Sequence, residues 1–222
     1  MALRSLLRFL HLEGVLERSL AGAVPSVYGP RLSGLPKRLE PGQADALLAS
    51  CDTSTVIGRR DLAILTVLAR LGLRAAEVAA LSLEDIDWRA GELVVHGKGG
   101  RSERLPLPLD VGEAIVGYLR DGRPESAQDR AVFVRVRAPH HRLSPGGVTY
   151  VVEAAARRAG LGQIHAHRLR HTAASEMMRA GATLPEVGQV LRHRRAASPA
   201  IYAKVDREAL RQIERLWPGA TR

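Results

Sequence analysis

Apolar side chains recur at helical spacing along most of the chain, and capping residues close many of these runs. The first run, residues 3–20, is interrupted at Gly14 and followed by prolines 25, 30 and 36, which predicts a helical piece and a linker. A compact pattern then resumes from Pro41. It predicts helices over about 41–50, 59–71, 77–81, 110–119, 144–159 and 167–179, one after Thr183, and a last one over 206–217.

Two short extended runs, residues 93–95 and 104–107, flank the turn-forming sequence His-Gly-Lys-Gly-Gly at 96–100. This pattern predicts a β-hairpin with Lys98 at its tip. Residues 131–134 are a further candidate strand. The fold class is therefore predicted to be mainly α with a small antiparallel β-hairpin or sheet (α+β).

Composition adds a candidate partner. The 222 residues contain 33 Lys and Arg against 23 Asp and Glu, a formal net charge of +10, which suits a polyanion such as nucleic acid. Aromatic residues make up only 4%, which is few for a protein that stacks single-stranded bases, so duplex DNA is favoured. Lysine occurs only at positions 37, 98 and 204.

Other compositional features exclude several classes. A single cysteine, Cys51, excludes an internal disulfide framework and a multi-thiolate zinc site. No apolar run is long enough to span a bilayer, and the amino terminus lacks a signal-peptide pattern. We therefore expect a cytoplasmic protein with no membrane partner.

The first segment with candidate chemistry is residues 68–88, centred on Arg74 and Glu77. Spacing of i, i+3 places the two side chains on one helix face, where the carboxylate can orient the guanidinium. An ordinary surface ion pair is the alternative for this segment in isolation. In the hairpin, Lys98 taken alone could equally be a solvated tip residue.

The second segment, residues 165–181, carries His167, Arg170 and His171 at i, i+3 and i+4. One helix face would then present two imidazoles and a guanidinium, a set that can bind a phosphate. The alternatives are a solvated basic face with one packed histidine, or a zinc site. Arg168 disfavours zinc, because it occupies the position where a zinc protease needs glutamate.

The third segment, residues 191–206, contains His193 and, nine positions later, Tyr202. The other tyrosines lack comparable histidine and arginine neighbours in the sequence. A core role for Tyr202 remains open when this segment is taken alone.

Four motifs together resemble those of the tyrosine recombinases, the phage-integrase family, over roughly residues 37–217. They are the Gly-Leu-Arg with Glu77, the Gly-Lys-Gly hairpin, the His-x-x-Arg-His helix, and the final His and Tyr. The resemblance implies the catalytic-domain fold of that family for residues 37–222. It also implies a role for each matching residue: Arg74 and Arg170 clamp the phosphate, His167 and His193 lie beside it, Lys98 is the hairpin lysine, Tyr202 is the nucleophile, and Glu77 and His171 support them.

The implied activity is site-specific recombination of duplex DNA through a 3′-phosphotyrosyl intermediate, without metal, ATP or another cofactor. In the family, four protomers assemble on two DNA sites and exchange a carboxy-terminal segment. Here the apolar stripe of Leu210, Ile213 and Trp217 could dock on a neighbour or fold back on its own core.

Two features depart from the family pattern. Residues 1–36 correspond only to the end of the usual amino-terminal core-binding helical domain plus a linker, so we expect a remnant of that domain. Arg192 stands where a glycine usually precedes the histidine, and could shift His193 or add a phosphate contact. The alternatives are a non-catalytic duplex-binding remnant that modulates a full-length recombinase, and a type IB topoisomerase.

Overall fold

The structure is a computed structural model, and it describes residues 2–24, 38–97, 100 and 102–192. The chain divides into two units, Met1–Gly34 and Leu35–Arg222. In the first unit, helix α1 (Ala2–Leu12) is followed by a 3-10 turn at Leu20–Gly22. The predicted helical run therefore ends before Gly14, which adopts a positive φ of 74°.

The second unit begins with three helices: α2 (Gln43–Ala49), α3 (Val56–Leu71) and α4 (Ala75–Ala80). The side chain of Thr55 accepts a hydrogen bond from the Gly58 backbone N–H, so α3 starts three residues before the predicted position. Gly72 ends α3 with a φ of 57°, the left-handed conformation that favours glycine at a helix C-terminus.

A three-stranded antiparallel sheet follows, with strands β1 (Ile86–Asp87), β2 (Glu92–His96) and β3 (Ser102–Pro106) in sequential order. The predicted hairpin is the β2–β3 pair, with Leu93 opposite Leu105 and His96 opposite Ser102. Leu93 and Leu105 are buried, which fixes the face that packs on the helices.

The remaining helices are α5 (Leu109–Asp121), α6 (Pro145–Arg158), α7 (Ala166–Arg179) and α8 (Leu184–Val190). Ser144 caps α6, and Thr183 with Glu186 forms the predicted capping box of α8. The predicted cap of α5 is wrong: Asp110 lies inside the first turn, where it pairs with Arg70 at 2.6 Å.

The predicted strand at 131–134 is also wrong. Its residues form only two isolated bridges, from Ala131 to Ser82 and from Val134 to Arg142. Phe133 in this segment instead packs into the core, where its ring stacks on Tyr118 with centroids 5.6 Å apart. Burial of side chains therefore produced the apolar pattern here, without a regular strand.

Helix α3 runs through the core of this unit and packs against α2, α5, α6 and α7. Nearly all of its second half is buried, including Ile64, Leu65 and Leu68. Its C-cap residue, Gly72, accepts a hydrogen bond from Arg170 of α7, so the C-terminus of α3 lies beside the helix that carries three of the predicted site residues. The architecture, mainly helical with a small antiparallel sheet, agrees with the predicted fold class.

No helix within the described part of the chain is long and apolar enough to cross a membrane. The predicted helix at 206–217, with its apolar stripe, lies outside the described residues.

Candidate active site

Arg74 and Glu77 interact at the start of α4, but not as two residues on one helix face. Arg74 is the N-cap residue and has extended backbone dihedrals, whereas Glu77 is the third residue of the helix. The Glu77 carboxylate accepts the Arg74 backbone N–H at 2.7 Å through Oε2 and the Arg74 guanidinium Nη1 at 2.5 Å through Oε1. One carboxylate thus both caps the helix and orients the guanidinium.

Glu77 is a buried carboxylate that stays ionised. Burial acts to raise its pKa, but the backbone hydrogen bond from Arg74 and the charge of Arg192 outweigh burial, so its pKa lies below the ordinary value. The alternative of an ordinary surface ion pair is therefore wrong for Glu77, although the Arg74 side chain is 43% exposed.

Arg170, on α7, is almost completely buried, with 2% of its surface exposed. Its Nη1 donates to the carbonyl of Gly72 at 2.6 Å, and its Nη2 donates to the carbonyl of Leu191. The guanidinium therefore joins the C-terminus of α3 to the C-terminus of α8. The alternative of a solvated basic face is wrong for this residue.

The two imidazoles of the same helix, His167 and His171, contact each other edge to face, with ring centroids 4.2 Å apart. Burial, then the charge of Arg170 and then that of Arg74 lower the pKa of His167. Burial, His167 and Arg170 lower the pKa of His171 to about 4. Both imidazoles are consequently neutral near pH 7, and the charges of both Arg170 and Arg74 act on His167.

Arg192 is also a member of this cluster, through a contact with Glu77 that the sequence did not predict. Its Nη2 lies 2.8 Å from Oε2 of Glu77, and both side chains are buried, at 6% and 5% exposure. Its backbone has a φ of 53°, the conformation for which the usual glycine is suited. The departure from the glycine pattern was the available signal, but the contact to Glu77 spans 115 positions in the chain.

The turn of Leu191 and Arg192 connects the two predicted phosphate-clamping arginines. Arg170 donates to the carbonyl of Leu191, and Arg74 donates through Nη2 to the carbonyl of Arg192 at 3.4 Å. Two guanidinium groups from distant segments therefore meet at consecutive carbonyls, immediately before His193 in the sequence.

A groove with a volume of about 1030 Å³ opens beside this cluster. The β2–β3 hairpin forms one side of it and the end of α8 forms another. At the end of the hairpin nearest its turn, His96 bonds Asp85 through Nε2 at 2.7 Å and Ser102 through Nδ1 at 2.8 Å. The groove lining includes Arg74, Glu77, His96, Arg104, Gln189 and Arg192.

Lys98, His193 and Tyr202 lie outside the described residues, as does Tyr28. Tyr118 is a core residue and Tyr150 is exposed. Over residues 2–24, 38–97, 100 and 102–192, no three His, Cys, Asp or Glu side chains are grouped so that they could hold a metal ion.

Residues 37–209, well over half of the chain, match the model of the phage integrase family. The chain belongs to this family. A putative integrase/recombinase of Sinorhizobium fredii (strain NBRC 101917 / NGR234), y4rA, is 47% identical over 221 residues, covering 98% of this chain and 54% of the relative. A second from the same strain, y4gC, is 41% identical and covers 83% of this chain and 97% of the relative.

The tyrosine recombinase XerC of Pseudomonas putida (strain F1) is 35% identical, covering 96% of this chain and 70% of XerC. Among solved structures, the XerA recombinase has a TM-score of 0.69 and 25% identity, covering 81% of this chain and 65% of XerA. A lambda integrase dimer bound to a COC′ core site has a TM-score of 0.64 and 18% identity, and the match covers 90% of this chain and 57% of the integrase chain. At this identity the similarity supports the fold alone.

The chain spans about half the length of y4rA but nearly all of y4gC. The fold of the described residues is thus that of tyrosine recombinase catalytic domains.

Proposed function

We propose that this protein recombines duplex DNA at specific sites by cleaving and rejoining strands through a covalent tyrosyl intermediate, with residues 37–222 as the catalytic domain. The observation that carries the proposal is the convergence of Arg74, Arg170 and His167 from two segments nearly a hundred residues apart. The charges of both arginines act on His167, and both guanidinium groups bond consecutive carbonyls of one turn.

In the proposed first step, the phenol oxygen of Tyr202 attacks a backbone phosphate in line with the departing 5′ oxygen. Negative charge develops on the nonbridging oxygens during this attack. Arg74 and Arg170 provide guanidinium donors that match phosphate geometry and can stabilise this charge. His193 is proposed to hydrogen-bond the same phosphate.

The proton of Tyr202 must leave as the phosphorus–oxygen bond forms, because a phenol has an ordinary pKa near 10. His167 is the proposed base, and its lowered pKa supports this role because the neutral imidazole is the form that accepts a proton. Lys98 is proposed to protonate the 5′ oxygen as its bond to phosphorus breaks. Glu77 and His171 support the reacting groups.

The reverse reaction joins the strands. A 5′ hydroxyl of another strand attacks the 3′-phosphotyrosyl bond, and the tyrosine leaves with a proton. One phosphoester bond replaces another, so the exchange is balanced without an external energy source. We further propose four protomers on two DNA sites, as the family resemblance implies.

The decisive experiment traps the covalent adduct. The full chain is incubated with nicked duplexes whose sequence is randomised around a fixed nick, so that cleavage beside the nick releases a short fragment and prevents rejoining. Denaturing gels and sequencing of trapped DNA should reveal a site-selective adduct. Tyr202→Phe should reduce it at least about 10³-fold, because the attacking oxygen is missing.

Tyr150→Phe is the matched control, since it removes an exposed phenol and should leave adduct formation unchanged. Salt-sensitive duplex binding by the wild type without any adduct would contradict the proposed catalysis and support the duplex-binding alternative. Sequence-independent relaxation of supercoiled plasmid would instead support a topoisomerase.

A further inference from the structure

The backbone of Arg192 adopts a conformation that is unfavourable for a residue with a side chain. Its φ of 53° is the only positive φ found for a non-glycine residue in the part of the chain that the structure describes. A glycine would adopt this turn without strain. A turn that served only to end α8 would therefore gain nothing from an arginine here.

The Arg192 side chain is directed at the buried carboxylate that orients Arg74. Its Nη2 bonds Oε2 of Glu77 at 2.8 Å, and its Nη1 donates to the carbonyl of Val190 at 3.1 Å. Its Nε is buried and has no hydrogen-bond partner among the described residues. The guanidinium thus bonds Glu77 even though one of its own donors has no partner in the part of the chain that the structure describes.

Arg192 also changes the charge of the cluster. Glu77 with Arg74 alone would be a neutral pair, whereas Glu77 with two guanidinium groups carries a net charge of +1. Glu77 then receives three donors: the Arg74 backbone N–H, the Arg74 guanidinium and the Arg192 guanidinium. The carboxylate is held in place, and it neutralises Arg74 less completely.

We propose that Arg192 is a positioning residue for Arg74, holding the Glu77 carboxylate that orients the Arg74 guanidinium toward the groove and preserving positive charge beside it. The contact with Glu77 assigns Arg192 this role: its Nη2 lies 2.8 Å from Oε2, and its side chain is 6% exposed, whereas that of Arg74, at the groove, is 43% exposed. The inference rests on the proposed function, since orientation of Arg74 matters through the phosphate it is proposed to clamp.

The first test measures trapping of the nicked duplex identified above by Arg192→Gly, Arg192→Gln and Arg192→Lys in the full chain. The single-turnover rate at saturating DNA should fall about 10- to 100-fold for Gly and Gln, because Arg74 loses its fixed orientation. The half-saturating DNA concentration should change less than about threefold. Arg192→Lys, which keeps the charge, should restore part of the rate.

The matched control is Arg120→Gln, which removes one positive charge from an exposed arginine paired with Asp121. Thermal unfolding of every variant shows whether the fold is retained. A wild-type rate in Arg192→Gly, or a rate loss no larger than that of the control, would overturn the positioning role. A trapping rate that falls by the same factor at all DNA concentrations, with an unchanged thermal unfolding midpoint, supports the positioning role.

A second readout does not depend on activity. Side-chain ¹⁵N–¹H spectra should show an ordered Arg74 Nε–H signal in the wild type, assigned by its absence in Arg74→Lys. This signal should broaden or average in Arg192→Gly and persist in Arg120→Gln. An unchanged Arg74 signal in Arg192→Gly would overturn the inference. If the wild type forms no adduct, the proposed function fails, while this spectrum still decides the role of Arg192.

Discussion

The two arginines of the candidate site have opposite surroundings. Arg170 lies in the interior between α3, α7 and α8, where its guanidinium bonds the carbonyls of Gly72 and Leu191. Arg74 lies at the edge of the groove, with its side chain 43% exposed and its guanidinium oriented by Glu77. The interior arginine is thus fixed by the packing of the helices, whereas the groove arginine is fixed by a charged network.

This difference indicates that the two halves of the site respond to different changes. Substitutions on the interior side should affect the fold and the site together. Substitutions on the groove side should affect the site with less effect on stability. Unfolding measurements on variants from each side can separate the two responses.

The largest expected effect is that of Arg170→Ala. It removes the donors of two buried carbonyls and leaves a cavity, so the free energy of unfolding should fall by about 3–5 kcal/mol. Arg74→Ala should cost only about 1 kcal/mol, because Glu77 keeps the bonds from Arg192 and from its own helix start. Urea unfolding of both variants measures the difference, and equal losses would contradict the comparison.

An intermediate effect is expected at Gly72, whose carbonyl receives Arg170. A Cβ at this position would lie 2.6 Å from Cδ2 of Leu191, in a backbone with φ of 57°. Gly72→Ala should therefore reduce the free energy of unfolding by about 2–4 kcal/mol, through backbone strain and overpacking.

Gly91→Ala provides the matched control. Gly91 has a similar φ of 65°, and no atom of the described residues lies within 4 Å of the place that an alanine methyl group would occupy. The substitution should cost about 1 kcal/mol from backbone strain alone. Since Leu191 precedes Arg192, Gly72→Ala should also disturb the turn that both arginines contact. Similar losses in the two variants would show that the contact with Leu191 is unimportant.

The smallest expected effect is a pH dependence from His171. Its pKa in the folded protein is about 4, below the ordinary value of 6.5, so the unfolded chain binds its proton first as the pH falls. The stabilising contribution of the neutral imidazole is therefore complete above about pH 6.5 and is lost as the pH falls toward 4. His167 contributes in the same direction.

His171→Gln should make the urea midpoint less sensitive to pH between 7 and 5, and His141→Gln, at an exposed histidine, is the matched control. A wild-type pH dependence in His171→Gln would contradict the assignment. The change in the pH dependence caused by His171→Gln should be modest, because His171 is only partly buried.

Local signals explain what could be predicted from the sequence. Gly72, Ser144 and the pair of Thr183 and Glu186 act through neighbours within four residues, and helix ends near them were correctly expected. The Thr55 cap is equally local, but the start of α3 was predicted three residues too late. The hairpin followed from two short extended runs that flank a glycine-rich turn sequence. Strand β1 has only two residues, too few for a recognisable alternation.

The site needed long-range information. Sequence spacing paired Arg74 with Glu77 but assigned them to a helix face, because spacing does not distinguish an N-cap residue from a helical one. The burial of Arg170 depends on carbonyls 98 and 21 positions away. The bond from Arg192 to Glu77 depends on how α4 and α8 pack, which no local pattern records.

The contact between Arg170 and Gly72 has an electrostatic consequence. The aligned peptide dipoles of α3 place about half a negative elementary charge at its C-terminus, where Gly72 is the capping residue. A partial charge of this size offsets only part of the charge on a buried cation. Arg170 can therefore be accommodated inside the protein while still attracting an anion placed beside it.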